Sequence, residues 1–267
     1  MLRRGRRAGA AAMTGHDPRS TLRDRTLLEV EALLRAGNTV LVWGPWGIGK
    51  STWLERIRER AISEGRPCGL STRTTALRDV TVSLARAYSG VSRESRTQRQ
   101  LRSALRMALE SRPGFLLLDD LREAGGAMRG FLRSLRGTGL GIAIAADVEN
   151  PHELERVLRL RLAYYRIPVP PLRGEPLAAL LSSAVQRAID PSDRRALVRI
   201  AGGRPGWIRR MGERLRDPGY WRGDRIRLEK LQADLTLDIL ERYLSCAECG
   251  GIREIRSVGR AGSEPIS

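Results

Sequence analysis

From Thr21 onward the apolar residues follow two rhythms in turn. Leu22, Leu27, Leu28, Val30, Leu33 and Leu34 recur at helical spacing and stop at Gly37-Asn38, which predicts a first helix. Thr39–Trp43 is a short β-branched run, hence a strand, and it enters a glycine-rich turn. Ser51–Ile62 then places Trp53, Leu54, Ile57 and Ala61 on one side of a second helix. Further strands are predicted at Cys68–Thr72, Phe115–Leu118, Gly141–Ala146 and Arg166–Val169. Helices are expected at 76–88, at 97–111 through Leu101, Leu105 and Leu109, and between the later strands. Strands that are apolar throughout, rather than at alternate positions, belong to a parallel sheet covered on both faces.

Beyond Pro170-Pro171 the strands stop and helices alone are predicted, at 174–188, 191–201, 205–216 and 225–244. The last is amphipathic through Leu228, Leu231, Leu235, Ile239 and Leu240, and its default role is packing onto its neighbours. The chain thus divides into an α/β core over 21–170 and a small all-α domain over 171–245. A basic tail at 1–20, with Met13 as an alternative start, is expected to be disordered, and 246–267 to form a flexible tail. No apolar run approaches the ~18–20 residues of a membrane helix. Three cysteines are too few for a disulfide scaffold and suit a reducing, cytoplasmic setting. Cys246 and Cys249 form a lone C-x-x-C, which falls short of the four ligands of a structural zinc site.

Charge changes this picture less than its size suggests. The 267 residues carry 48 basic and 30 acidic side chains, a net charge of +18, and every basic residue except Lys50 and Lys230 is arginine. A surface that neutralises phosphates can use either cation, so near-exclusion of lysine points to a chain-wide bias. The excess is also spread along the sequence. Charge permits DNA as a partner without arguing for it.

Specific chemistry begins at Gly44-Pro45-Trp46-Gly47-Ile48-Gly49-Lys50-Ser51, which fits G-x-x-x-x-G-K-S/T between a predicted strand and a predicted helix. Glycines let the backbone curl so that successive N–H groups converge on an anion at a helix N-terminus. Lys50 is expected to reach the β- and γ-phosphates of ATP, Ser51 to ligate Mg²⁺, and Thr52 to complete the nest. One of only two lysines stands where this motif needs one. Trp46 is unusual in such a loop; it either shields a phosphate or base or covers the end of the sheet.

A phosphate loop needs a carboxylate across the sheet. Phe115-Leu116-Leu117-Leu118-Asp119-Asp120 supplies it: four apolar residues bury the strand, and the acids emerge at its C-terminal edge. Asp119 is the expected metal-side carboxylate. Asp120 stands where a catalytic base would polarise water, with a shorter reach than Glu; a helix cap or solvated turn accounts for the same letter.

With both motifs placed, residues 22–216 resemble the AAA+/STAND branch of P-loop ATPases. Leu28–Lys50 looks like the helix-to-first-strand entry of these modules, and Tyr165–Leu172 like the last core strand and its proline-rich step into a lid. The resemblance implies a P-loop NTPase fold, with a strand inserted between the two motif strands and a small all-α lid after the core. Ala201-Gly202-Gly203-Arg204-Pro205-Gly206-Trp207-Ile208 is similar to the G-x-P turn of the group, which implies that Gly203 and Pro205 lie near the base or ribose. A glycine pair closing one helix before a proline opening the next explains the same letters.

Departures from the pattern are informative. Asp120 replaces the Glu of fast hydrolases. Gly206 stands where some relatives carry a second-sensor Arg, leaving Arg204, Arg209 or Arg210 as substitutes. Asp147 falls near the first-sensor position in place of the usual amide or hydroxyl, and Arg159 and Arg161 are finger candidates for which a solvated basic helix face is the default reading. The function implied is a Mg²⁺-dependent ATPase, switching a protein partner or its own oligomerisation. The alternative is a DNA-associated regulator of the transposition-regulator or helicase-loader type, and a small-molecule kinase is a weaker third.

Overall fold

The computed structural model describes residues 22–72, 74, 76–88, 97–122 and 124–251, without the side chains of 242 and 245–251. The expected tail at 1–20 and residues 252–267 lie outside them. The core elements are α1 (Leu22–Arg35), β1 (Thr39–Gly44), α2 (Lys50–Ser63), β2 (Cys68–Ser71), α3 (Leu77–Arg86), α4 (Gln98–Ser111), β3 (Phe115–Leu118), α5 (Gly126–Ser134), β4 (Gly141–Asp147), α6 (Pro151–Arg159) and β5 (Tyr165–Pro168). All five strands are parallel, in the order β2-β3-β4-β1-β5. The two motif strands, β1 and β3, therefore flank β4, the inserted strand that the resemblance implied.

Side chains one residue apart on a strand point to opposite faces, and here both faces are buried. Leu41, Leu116, Leu118, Ile142 and Ile144 join one core with residues of α3, α4, α5 and α6, among them Leu84, Leu105, Phe131 and Val157. Val40, Val42, Phe115, Leu117, Ala143 and Ala145 join the other with Leu27, Val30 and Leu34 of α1 and Trp53, Leu54 and Ile57 of α2. This explains the unbroken apolar runs in the sequence. Of the two edge strands, β2 and β5, the second is the more exposed, and Pro168, which cannot donate to a ladder, sits there.

The lid comprises α7 (Gly174–Ala184), α8 (Pro191–Ala201), α9 (Pro205–Arg214), a 3-10 turn at Pro218–Tyr220, strands β6 (Trp221–Arg222) and β7 (Arg225–Ile226), and α10 (Leu228–Gly251). The short hairpin corrects the helices-only expectation: the last helix starts at Leu228 instead of 225 and runs on through Cys246 and Cys249. Its cause is Asp193, buried in the first turn of α8. The Asp193 carboxylate accepts from Arg225 Nε at 3.1 Å and Nη2 at 2.9 Å and from the Ile226 N–H at 3.0 Å, pinning these residues in extended form. The lid has its own core of Leu181, Leu197, Ile208, Met211, Trp221 and Leu231. No helix among the described residues is long and apolar enough to cross a membrane.

Candidate active site

The phosphate loop spans the gap between β1, which ends at Gly44, and α2, which begins at Lys50. Gly47 and Gly49 hold φ values of 78° and 102°, in the left-handed region where a side chain would be strained. Ile48 turns inward and is buried, so its side chain anchors the loop on the core and does not face the cavity. Arg23 of α1, which the sequence reading passed over, braces the loop: its Nη2 donates to the Ile48 carbonyl at 3.0 Å, with the guanidinium 5.8 Å from the Trp53 ring centre. Lys50 Nζ donates to the carbonyls of Gly44 at 2.7 Å and Pro45 at 3.0 Å. The cation is thus held over the loop it would serve.

Across the sheet, the Asp119 N–H donates to Ser71 at 2.9 Å, extending the β2–β3 ladder to the acid. Burial pushes the Asp119 carboxyl up. A hydrogen bond from Ser51 and the charge of Lys50 oppose that, while Asp120 adds to it. Ser51 and Asp119 thus stand on the wall of one cavity, where their oxygens could serve a single metal ion. Among the described residues no group of three or more His, Cys, Asp or Glu side chains is arranged to hold a metal by itself. That donor set suits Mg²⁺, which takes one or two protein oxygens and completes its shell with phosphate and water.

Asp120 lines the same cavity, but with φ at 48° its carboxylate turns onto Arg122, accepting on Oδ2 from Nε at 3.1 Å and Nη2 at 3.0 Å. Asp147, at the end of β4, accepts from the Glu149 N–H at 3.0 Å. Beside it stands Glu153, a residue not singled out from the sequence, 7% exposed and part of the cavity wall. Burial pushes its carboxyl up to about 7. Lys50 and the Asp147 backbone N–H hold it down, and the charges of Asp147 and Asp120 raise it. An acid in the first turn after the Asn150 cap reads in sequence as a helix-dipole residue; its burial follows only from the fold.

The lid closes the cavity. The Gly206 N–H donates to the Gly47 carbonyl at 2.8 Å, and a Cβ on Gly206 would stand 2.7 Å from Gly47 Cα. Pro205, Gly206 and Arg209 from the lid face Trp46, Gly47, Gly49, Lys50, Ser51 and Thr52 across a cavity of about 420 Å³, within the size range of small-molecule sites. Gly203 lies outside that wall and instead accepts from the Leu172 N–H at 2.8 Å. Arg204 makes a two-pronged pair with Glu149, at 2.6 and 3.0 Å, and the Tyr243 hydroxyl lies 3.5 Å from the same carboxylate. Arg210 is paired with Glu213, so of the three second-sensor substitutes Arg209 alone lines the cavity. Arg159 pairs with Glu155 on its own helix, and Arg161 is exposed beyond its end.

No protein-family model matches the chain, and no curated protein is significantly similar to it. Solved structures do match. The Walker-type ATPase PABY2304 of Pyrococcus abyssi superposes with a TM-score of 0.56 at 17% identity, covering 89% of this chain and 76% of that one. A RuvB variant of Thermotoga maritima aligns at 0.45 and 17% identity, over 81% of this chain and 68% of its own. C. elegans PCH-2 aligns at 0.42 and 15% identity, over 85% and 70%. At such identities likeness speaks for the fold alone. The chain shares the fold of that Walker-type ATPase, a P-loop-type parallel α/β core followed by a small helical unit.

Proposed function

We propose that this chain is a Mg²⁺-dependent ATPase that acts as a nucleotide-controlled switch, with ATP bridging core and lid and the closed form engaging a protein partner or further copies of itself. The observation that carries this reading is the hydrogen bond from Gly206 to Gly47. Because the lid already rests on the phosphate loop, any ligand that reshapes the loop changes the lid's footing. In this reading the backbone from Gly44 to Gly49 cradles the phosphates, Lys50 leaves its carbonyl partners for the β- and γ-oxygens, and Thr52 extends the nest. Ser51 and Asp119 hold Mg²⁺, which when bound neutralises charge on the phosphates. Trp46 and Pro205 wall the remainder of the nucleotide, and Arg209 offers a cation from the lid. Asp120, beside the metal acid, is a candidate water-polarising group once it leaves Arg122.

Calorimetric titration with ATP tests the premise: the wild type binds, and Lys50→Ala lowers affinity at least tenfold. Equal affinity would refute the nucleotide role of the loop. Size-exclusion chromatography without nucleotide, with ADP and with ATP then tests the switch. The same runs with duplex DNA address the DNA-associated alternative, which the net charge of +18 keeps open. A flat plot of log affinity against log salt excludes a phosphate-neutralising surface.

A further inference from the structure

Glu153 has no assigned role, yet it occupies an unusual position. Helix α6 springs from the end of β4, the strand between the two motif strands, so its first turn stands over the space between the phosphate loop and Asp119. The Glu153 side chain faces that space from the cavity wall. We infer that Glu153 is the group that takes the proton from the attacking water during ATP hydrolysis. The inference rests on the ATPase reading above and deepens it by naming the base.

Three observations support it. The side chain is only 7% exposed, and it sits on the wall of the cavity that the phosphate loop and Asp119 also line. Lys50 from α2, Asp147 from β4 and Asp120 from the loop after β3 act on it electrostatically, and Arg209 lines the same cavity from the lid. Finally, the other acids on the cavity wall have different engagements: Asp119 is the metal-side acid of the reading above, Asp147 accepts from the Glu149 N–H at 3.0 Å, and Asp120 has Oδ2 held by two hydrogen bonds from Arg122. A stabilising first-turn acid is ordinarily exposed and ionised toward the helix dipole. Glu153 is instead buried, so ionising it costs folding stability. An acid held up to about 7 is still ionised in good part at neutral pH and is a stronger base than an ordinary carboxylate.

In the step itself the water oxygen bonds to the γ-phosphorus while the bond from that phosphorus to the β,γ-bridging oxygen breaks. The bond pair leaves with ADP, and the water proton passes to the Glu153 carboxylate, from which solvent removes it after phosphate departs.

The experiment compares wild type, Glu153→Gln, Glu153→Asp and Asp120→Asn for ATP affinity by calorimetry, for turnover between pH 5.5 and 9, and for the apo melting temperature. Glu153→Gln is expected to bind ATP within a few-fold of wild type while turning over at least about 100-fold more slowly, the scale of general-base loss. Glu153→Asp keeps a carboxylate and is expected to keep part of the turnover. Wild-type turnover should fall on the acid side of about 7. Without nucleotide, Glu153→Gln should melt above wild type at pH 8.5, where the buried carboxylate is ionised, and alongside it near pH 4.5, where it is not. Turnover of Glu153→Gln within threefold of wild type, or a wild-type profile with no acid limb between pH 6 and 8, overturns the inference. So does loss of turnover confined to Asp120→Asn. Wild type that fails to bind ATP overturns the ATPase reading and the inference together, and is told apart because the inference alone fails with ATP still bound.

Discussion

Replacing Gly206 with alanine should unlock the lid from the phosphate loop. The new Cβ would stand 2.7 Å from Gly47 Cα and 3.1 Å from the Gly47 carbonyl oxygen. Two carbons attract best at about 3.5–4.0 Å, so the surfaces must part by roughly 1 Å. Neither neighbour can yield by turning a side chain, because both atoms are backbone. Parting by that much carries the 2.8 Å hydrogen bond from the Gly206 N–H beyond bonding range. The lost bond is worth about 0.5–1.5 kcal/mol net, and the alternative of staying in place costs about 1–3 kcal/mol of overpacking strain. Removing a glycine from a helix returns at most about 1 kcal/mol, less here in the first turn of α9. Lid docking should therefore weaken by about 1–2 kcal/mol, a shift of roughly 5- to 30-fold toward the open form. Amide hydrogen exchange measures it directly: the N–H groups at 206 and across the phosphate loop should exchange faster by that factor, with β3 and β4 unchanged. ATP affinity should fall with it if the nucleotide bridges both parts. Gly130→Ala in α5, where a Cβ meets nothing within 4 Å, is the control and should be neutral or stabilising. Unchanged exchange at the loop in the Gly206 variant would refute the proposed footing of the lid.

Asp193→Asn should destabilise the lid by about 1–2 kcal/mol in urea denaturation, toward the low end of charged hydrogen-bond losses because Arg225 is 61% exposed. The hydrogen bonds from Arg225 and Ile226 hold the Asp193 carboxyl below the usual range, so its contribution is present above about pH 4 and fades as pH falls through the folded value. The variant should lack that acid-limb loss. Cys68 is buried, and desolvation pushes its thiol up to about 12, so mass-mapped alkylation at pH 8 should leave it unmodified in the native protein and label it on unfolding. Labelling at the rate of a free thiol would show that β2 opens readily.

Local physics made much of this protein legible before any fold was known. Apolar runs without alternation announced a doubly covered parallel sheet because β1 to β4 are buried on both faces. The strand–loop–helix setting of Gly44–Ser51 was legible as well, and so was the position of Asp119 at the end of the buried run Phe115–Leu118. The hairpin at 221–226 was not legible, since it depends on Asp193, a distant acid that pins two backbone positions. Nor were the engagement of Asp120 by Arg122, the seating of Gly206 on Gly47, or the burial of Glu153 beside Lys50 and Asp147. Periodicity records which side of an element is covered, and motif spacing records what the chain can do with neighbours in sequence. Desolvation and the meeting of remote charges are properties of the packed molecule. The glycine-rich loop and its lysine could be placed from sequence because they depend on neighbours along the chain; which lid backbone rests on that loop and which acids share its cavity only tertiary packing decides.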